Sequence, residues 1–439
     1  MAAFLTVGAA AFAFKLVSAS RELVVAYHFG TGDALDAFIL AFLAPSFAIT
    51  VQIAAFSAAL MPVFIRVRSA EGEAAARRLA ENTLVAAAVL LVASSVLLLL
   101  VAPALVKLLG SGFAPGKQAL TLHLLYLMVP VIVIQGLIKF YGTLINARHR
   151  FGLVAALPLA TPILTMLLLV LAQRADPDLL VIGVVGGAAI ELALLLLHAR
   201  RLDLLILPRW HGLEPATRKV IGQYLPTMLG ALGSSTAVLI APGMAAMLDP
   251  GSVAALSYGT KLVALFLAFS AQPLSTALLP YLAELAAARD ARHLRHSFLG
   301  WLGLVVLFGT PAAGVFYLFS EPIIRLLFER GAFTAADTAI VAQVQALYAL
   351  QIPFYLAGVM GARVLNAMSL NHITAVVGIM NCLTNILFNY LLMQWLGLPG
   401  IGLATACVYL CSCIVILAMV HLELARMERG VPIISGGIT

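Results

Sequence analysis

The sequence predicts an all-α, polytopic membrane protein of about 12 transmembrane helices, set in two six-helix lobes related by a parallel internal repeat. Three observations predict it. Of 439 residues, 63% are hydrophobic and only 10% charged, whereas soluble domains carry about 25% charged residues. Apolar runs near the ~20 residues that cross a hydrocarbon core recur from end to end. Short sequence matches also return at a nearly constant offset. A soluble enzyme, a disordered chain and a secreted disulfide scaffold are excluded.

Charged breaks divide the apolar stretches into twelve spans. The first six run over 2–27, 36–64, 83–106, 119–146, 151–172 and 179–198. The next six cover 222–248, 253–282, 297–319, 338–367, 373–395 and 400–421. Period-two alternation is lacking, so helices rather than barrel strands must satisfy the backbone in lipid. The first run ends at Ser18-Ala-Ser20, loosely like a cleavage site, but has no basic leader and reads as a retained helix. Loops after even-numbered spans, the flank at Arg363 and the C-terminal tail hold 17 Lys and Arg, against 5 in the other loops. By the positive-inside rule both termini face the cytoplasm. Residues 66–81, with Arg68, Arg77 and Arg78, read as a short interfacial helix.

The halves echo one another. Ser57-Ala-Ala-Leu-Met-Pro62 returns as Ser275-Thr-Ala-Leu-Leu-Pro280, and Lys107-Leu-Leu109 as Arg325-Leu-Leu327, both at an offset of 218. Leu144-Ile-Asn-Ala147 returns as Val364-Leu-Asn-Ala367 at 220, and Ile182-Gly183 as Ile401-Gly402 at 219. Six spans separate the copies, so both cross the membrane in the same direction, a pattern used by alternating-access transporters. The expected organisation is an N-terminal lobe at 1–200, an inter-lobe linker at 201–221, a C-terminal lobe at 222–421 and a tail at 422–439. Twelve of the 20 prolines fall inside spans and should bend them.

Ionisable groups inside a span are costly and mark sites by default. Lys15 has apolar neighbours on both sides, and Lys261 lies about two turns into the eighth span. Arg21 adjoins Glu22, so local pairing is its structural alternative. Asp36 stands at a helix start and can serve as a cap. Lys139 is close enough to Arg148 to snorkel, and Glu191 sits near a helix end. Lys15 and Lys261 come from different lobes, and a shared cavity lined by such cations favours an anion, phosphate above all.

Asn381, Asn385 and Asn389 share one helix face beside Thr384, which suits interhelical hydrogen bonds or an ion contact. Residues 112–118 contain Gly116-Lys117 but lack the spacing and final hydroxyl of a phosphate loop, so ATP hydrolysis by this chain is not expected. Cys382, Cys407, Cys411 and Cys413 lie in two late spans with no His at metal-ligand spacing, and read as core residues. No metal or cofactor is expected. The net charge of +7 comes from loop residues between spans and signals topology, not nucleic-acid binding.

Residues 21–30, Arg-Glu-Leu-Val-Val-Ala-Tyr-His-Phe-Gly, followed by Leu35-Asp36-Ala37-Phe38, resemble the opening of the MurJ/MviN flippases. Similar matches occur at 250–258 with Lys261-Leu262, at 321–334 (Glu-Pro-Ile-Ile-Arg-Leu-Leu-Phe-Glu-Arg-Gly-Ala-Phe-Thr), and from Asn385 through Thr405. The resemblance is collinear over almost the whole chain. It places the sequence in the superfamily of multidrug, oligosaccharidyl-lipid and polysaccharide exporters. It implies flipping of undecaprenyl-pyrophosphate-linked saccharides, with Arg21 and Lys261 on the pyrophosphate and Lys15 at another basic position. It also implies a bacterial inner-membrane location, with polyprenyl-linked saccharide and membrane lipids as partners and no catalytic residue. A monomer is the expected state.

Three departures from the family pattern stand out. Ile49, Thr50 and Val51 replace the Arg pair typical of the second helix, and twelve spans stand where fourteen are usual. Ile240-Ala241-Pro242 and Asn389 occupy positions that are acidic in sodium-binding members, so Na⁺ coupling is not expected although Asn385 and Thr405 are retained. Lipid II and an exopolysaccharide repeat unit both remain substrates on this reading. The alternatives are an H⁺- or Na⁺-coupled drug or cation antiporter, using Glu191 and Asp36, and a membrane glycosyltransferase or polysaccharide polymerase. The short outward loops lack the grouped acids that catalysis would need.

Overall fold

The computed structural model describes residues 2–429 except 149, 173, 236 and 289. Side chains at 2–7, 53–55, 57, 151, 225, 229–237 and 271–280 are also outside the description. The repeat copy at 275–280, the side chains of Pro273 and Pro280 and the tail beyond 429 therefore lie outside the described residues.

Helices occupy every expected span, and no strand occurs among the described residues. The first three are α1 (Ala2–Phe29), α2 (Asp33–Glu71) and α3 (Glu73–Leu109). The fourth span is broken into α4 (Pro115–Met128) and α5 (Pro130–Asn146), because Pro130 cannot continue the hydrogen-bond ladder. The fifth comprises α6 (Phe151–Ala156), a 3₁₀ turn at Leu157–Leu159 and α7 (Ala160–Ala172); α8 (Pro177–Arg201) is the sixth. The seventh divides into α9 (Pro215–Ser235) and α10 (Ala237–Ala245). Then come α11 (Ser252–Ala287), α12 (Ala291–Leu318), α13 (Ser320–Phe328), α14 (Ala335–Ala349), α15 (Gln351–Ala367), α16 (Asn371–Leu396) and α17 (Leu398–Glu428). Ten helical stretches among the described residues are long and apolar enough to cross a membrane.

The repeat is visible in these lengths. The pair α4 and α5, of 14 and 17 residues, is matched by α14 and α15, of 15 and 17. The long α2, of 39 residues, corresponds to α11, of 36. One expectation is corrected: 66–81 is not a separate interfacial helix. Its first part continues α2 to Glu71 and its second part starts α3, with the turn made at Gly72, whose φ of +88° is open to glycine without strain. At ~1.5 Å per residue, α2 is nearly twice as long as the hydrocarbon core is thick, so its last turns project into the headgroup layer.

Two compact units make up the chain. The first comprises 1–239 with the short segments 249–253 and 330–333; the second comprises 240–248, 254–329 and 334–439. Thus α9, which opens the second copy of the repeat, groups with the first unit, and the 201–221 stretch is internal to it. In the first unit, Leu60, Leu79, Phe140, Leu144, Leu195, Ile206 and Val220 form one buried cluster. Val220 belongs to α9, which packs along α2. Helix α8 lies against α7 through Gly183 and Gly187. A Cβ on Gly183 would sit 2.5 Å from Thr165 Oγ1, and one on Gly187 would overlap the Thr161 backbone. Small residues four apart permit that approach, the commonest device for joining helices in lipid. The second unit is centred on Val263, Leu294, Ile352, Met360, Leu365 and Val420. The four cysteines are all free, and only Cys413 is fully buried.

Candidate functional site

Lys15 and Arg21 lie on α1 and are half-buried. Arg21 forms an ion pair with Glu22, its neighbour in sequence, while its Nε is buried without a hydrogen-bond partner. The local pairing expected as the structural alternative is therefore present, and the guanidinium retains further N–H donors. Lys261 is in the second unit, on α11, with Nζ 5.4 Å from the centre of the Tyr258 ring. Tyr258 is fully buried and packs on Phe328. A cation within about 6 Å of an aromatic ring centre is attracted by the ring's quadrupole.

Asp36 lies in the first turn of α2. The residue preceding α2 is Gly32, and no side chain caps there. Instead Asp36 is buried against Lys117 Nζ at 2.6 Å, and Lys117 also reaches Asp33 at 2.6 Å and lies 4.1 Å over the Phe113 ring. The same Asp36 carboxylate accepts the Gly251 backbone N–H at 2.7 Å. Gly251 belongs to the 249–253 segment of this unit, and a Cβ there would overlap the Thr31 carbonyl. The other short segment is held likewise: Ala332 N–H donates to the Tyr27 carbonyl at 2.8 Å. Both segments thus fasten on the α1–α2 turn. Sequence reasoning found Asp36 and missed its partner, because Lys117 drew notice only as a failed phosphate loop.

Lys139 lines a cavity of about 20 Å³ with Gln52, Gly136 and Tyr224, enough for a single water. Its charge acts on buried Glu191 of α8. On α16, Asn389 is fully buried and its Nδ2 donates to the carbonyl and Oδ1 of Asn385 at 2.7 and 3.0 Å. Thr405 Oγ1 bonds the Ile401 carbonyl of its own helix at 3.4 Å. Asn381 Oδ1 accepts from Ser412 Oγ on α17, the interhelical bond that its place on the stripe suggested. Among the described residues no cluster of His, Cys, Asp and Glu could hold a metal ion.

A second polar network lay outside the sequence reading. Asn82 Oδ1 accepts the His211 backbone N–H at 2.6 Å, and its Nδ2 donates to the Gly212 carbonyl at 3.0 Å and to Thr217 Oγ1 at 3.2 Å. Glu81 meets His211 Nε2 at 2.5 Å and Arg77 at 3.2 Å, and Tyr141 Oη donates to the Ile206 carbonyl at 2.6 Å. The stretch between α8 and α9 is thereby strapped to the start of α3 and to α5. That explains why α9 shares a unit with the helices before it.

The family model for the lipid II flippase MurJ matches residues 25–430, nearly the whole chain. The chain belongs to the MurJ lipid II flippase family. It is similar to the probable lipid II flippase MurJ of Rhizobium meliloti (strain 1021), with 28% identity over 365 residues that cover 80% of this chain and 68% of the relative. It is also similar to the lipid II flippase MurJ of Burkholderia cenocepacia, with 24% identity over 362 residues, 79% of this chain and 69% of the relative. Among solved structures, lipid II flippase MurJ in an inward closed conformation superposes with a TM-score of 0.82 at 20% identity, covering 97% of this chain and 90% of that one. An inward-facing multidrug resistance MATE family transporter gives 0.77 at 13% identity, covering 95% of each chain. These structural likenesses establish the exporter fold, and the family match assigns the MurJ branch within it.

Proposed function

We propose that this chain is a flippase that carries an undecaprenyl-pyrophosphate-linked saccharide, lipid II in the first place, from the cytoplasmic to the outer leaflet. The observation that carries the reading is the MurJ family match over 25–430. Three cations on membrane helices, Lys15, Arg21 and Lys261, supply what a pyrophosphate requires: positive charge and N–H donors away from bulk water. In the inward-open state they engage the headgroup while the polyprenyl tail stays in lipid. Reorientation of the two halves then delivers the headgroup outward, from a bacterial inner membrane with both termini in the cytoplasm. A membrane potential negative inside favours outward movement of an anion by ~2.3 kcal/mol per charge per 100 mV.

The antiporter alternative is less well supported. It needs a membrane acid that takes up and releases protons, and one of its two candidates, Asp36, is held in a buried ion pair with Lys117. An exopolysaccharide repeat unit offers the same pyrophosphate and is separated by what co-purifies. Native mass spectrometry of the purified chain should show a bound lipid II mass; a different polyprenyl-oligosaccharide would move the substrate, and no polyprenyl lipid at all would sink the reading. In cells depleted of their own lipid II flippase, the wild-type chain should restore growth, and Lys15→Gln/Lys261→Gln should insert normally yet fail to do so.

A further inference from the structure

Between α2 and α9, wholly within the first unit, lies a cavity of about 480 Å³, inside the roughly 300–1,000 Å³ range of small-ligand clefts. On α2 it is lined by Ala58, Pro62 and Arg66, spaced by four so that they share one helix face. On α9 it is lined by Lys219, Gln223 and Thr227, again four apart, with Gly222 and Pro226 beside them.

Two features separate this cavity from an ordinary groove between helices. The first is unspent positive charge. Arg68 and Arg148 pair with Glu73, Arg77 with Glu81 and Arg78 with Glu214. Among the described residues, Arg66 and Lys219 have no acid within ion-pair range, although they line the same cavity. The second is a pair of helix prolines. Pro62 and Pro226 each lack an N–H, so the carbonyls one turn earlier, at Ala58 and Gly222, lose their usual intrahelical donor. All four of these residues line the cavity. The cavity therefore offers two cations and the amide of Gln223 to a ligand's acceptors, while the Thr227 hydroxyl donates to the Gln223 carbonyl at 2.8 Å. It also presents two carbonyls that lack their usual helical donor to a ligand's donors.

A phosphate supplies acceptors only, and a sugar supplies hydroxyl donors. We propose that this cavity binds a phosphorylated sugar headgroup, with Arg66 and Lys219 on the phosphate oxygens and the Ala58 and Gly222 carbonyls on sugar hydroxyls. On the proposed topology the end of α2 that carries Arg66 faces the cytoplasm, so the cavity is a loading site distinct from Lys15, Arg21 and Lys261. The identity of the carrier lipid rests on the flippase reading; the chemistry of the ligand does not. Two sources of that chemistry exist, a polyprenyl-linked diphosphosugar and a soluble nucleotide diphosphosugar.

The test measures binding to the purified full chain in nanodiscs. The probes are a short-chain polyprenyl-pyrophosphate-linked N-acetylglucosamine, the same lipid without sugar, and UDP-N-acetylglucosamine. The expected result is that the polyprenyl-linked sugar binds wild type best, that removing the sugar weakens binding, and that Arg66→Gln/Lys219→Gln lowers affinity by about tenfold or more, as loss of charge-assisted hydrogen bonds requires. The charge-conserving Arg66→Lys/Lys219→Arg should keep wild-type affinity, which separates loss of the site from loss of the fold. If both double variants bind every probe like wild type, the site is wrong while the flippase reading stands. If the sugar-free lipid binds as tightly as the sugar-bearing one, the carbonyl contacts are wrong. If only the soluble diphosphosugar binds, and does so through Arg66 and Lys219, the site stands and the flippase reading falls.

Discussion

Lys117→Met is the most informative single change. Lys117 and Asp36 are almost fully buried, with side-chain exposures of 7% and 1%, whereas Asp33 is 59% exposed. The outer contact to Asp33 is therefore solvent-screened and worth little. Loss of the inner one leaves a buried carboxylate without its cation, a situation that typically costs about 3–5 kcal/mol. The Gly251 N–H still donates to Asp36, so the lower end, about 3 kcal/mol, is expected. In a unit of this size each kcal/mol lowers Tm by roughly 2–4 °C, which predicts a fall of roughly 6–12 °C. Asp36→Asn should cost less, since Lys117 can turn to Asp33. The double variant Asp36→Asn/Lys117→Met removes both charges and should recover much of the loss. Tryptophan-fluorescence melting of the purified variants reads all three. A Lys117→Met melt within a degree of wild type, or a double variant no better than the single, would refute the buried-pair account.

Three further outcomes are expected. Gly187→Leu forces a side chain into the Thr161 backbone, and should cost about 1–3 kcal/mol and lower the yield of folded protein on size exclusion. Asn82→Ala removes three hydrogen bonds from the 211–217 stretch and should speed limited proteolysis there, and Tyr141→Phe, which strands the Ile206 carbonyl, should do so more mildly. Glu191→Gln should leave lipid flipping largely intact in a vesicle assay; abolished proton-coupled drug efflux would instead favour an antiporter.

The helical architecture was legible because lipid imposes one solution on the backbone, so apolar run length alone locates the spans. The internal repeat was legible because short matches kept their spacing. Side-chain partners were not. Lys117 lies 81 residues from Asp36 and Asn82 lies 129 from His211, and nothing in local spacing couples such positions. The Arg21–Glu22 pair could be anticipated because the residues adjoin. The turn at Gly72 was misread as part of an amphipathic segment because the flanking Arg and Glu residues are equally at home in the projecting ends of long helices.

The interruption shared by α4/α5 and α14/α15 bears on how a bent span is encoded. In the first copy Pro130 opens the helix after the break, whereas in the second the break precedes Gln351 and the proline follows at Pro353. A proline within the first turn of the second segment costs no hydrogen bond there, so either placement is compatible with the same two-piece span.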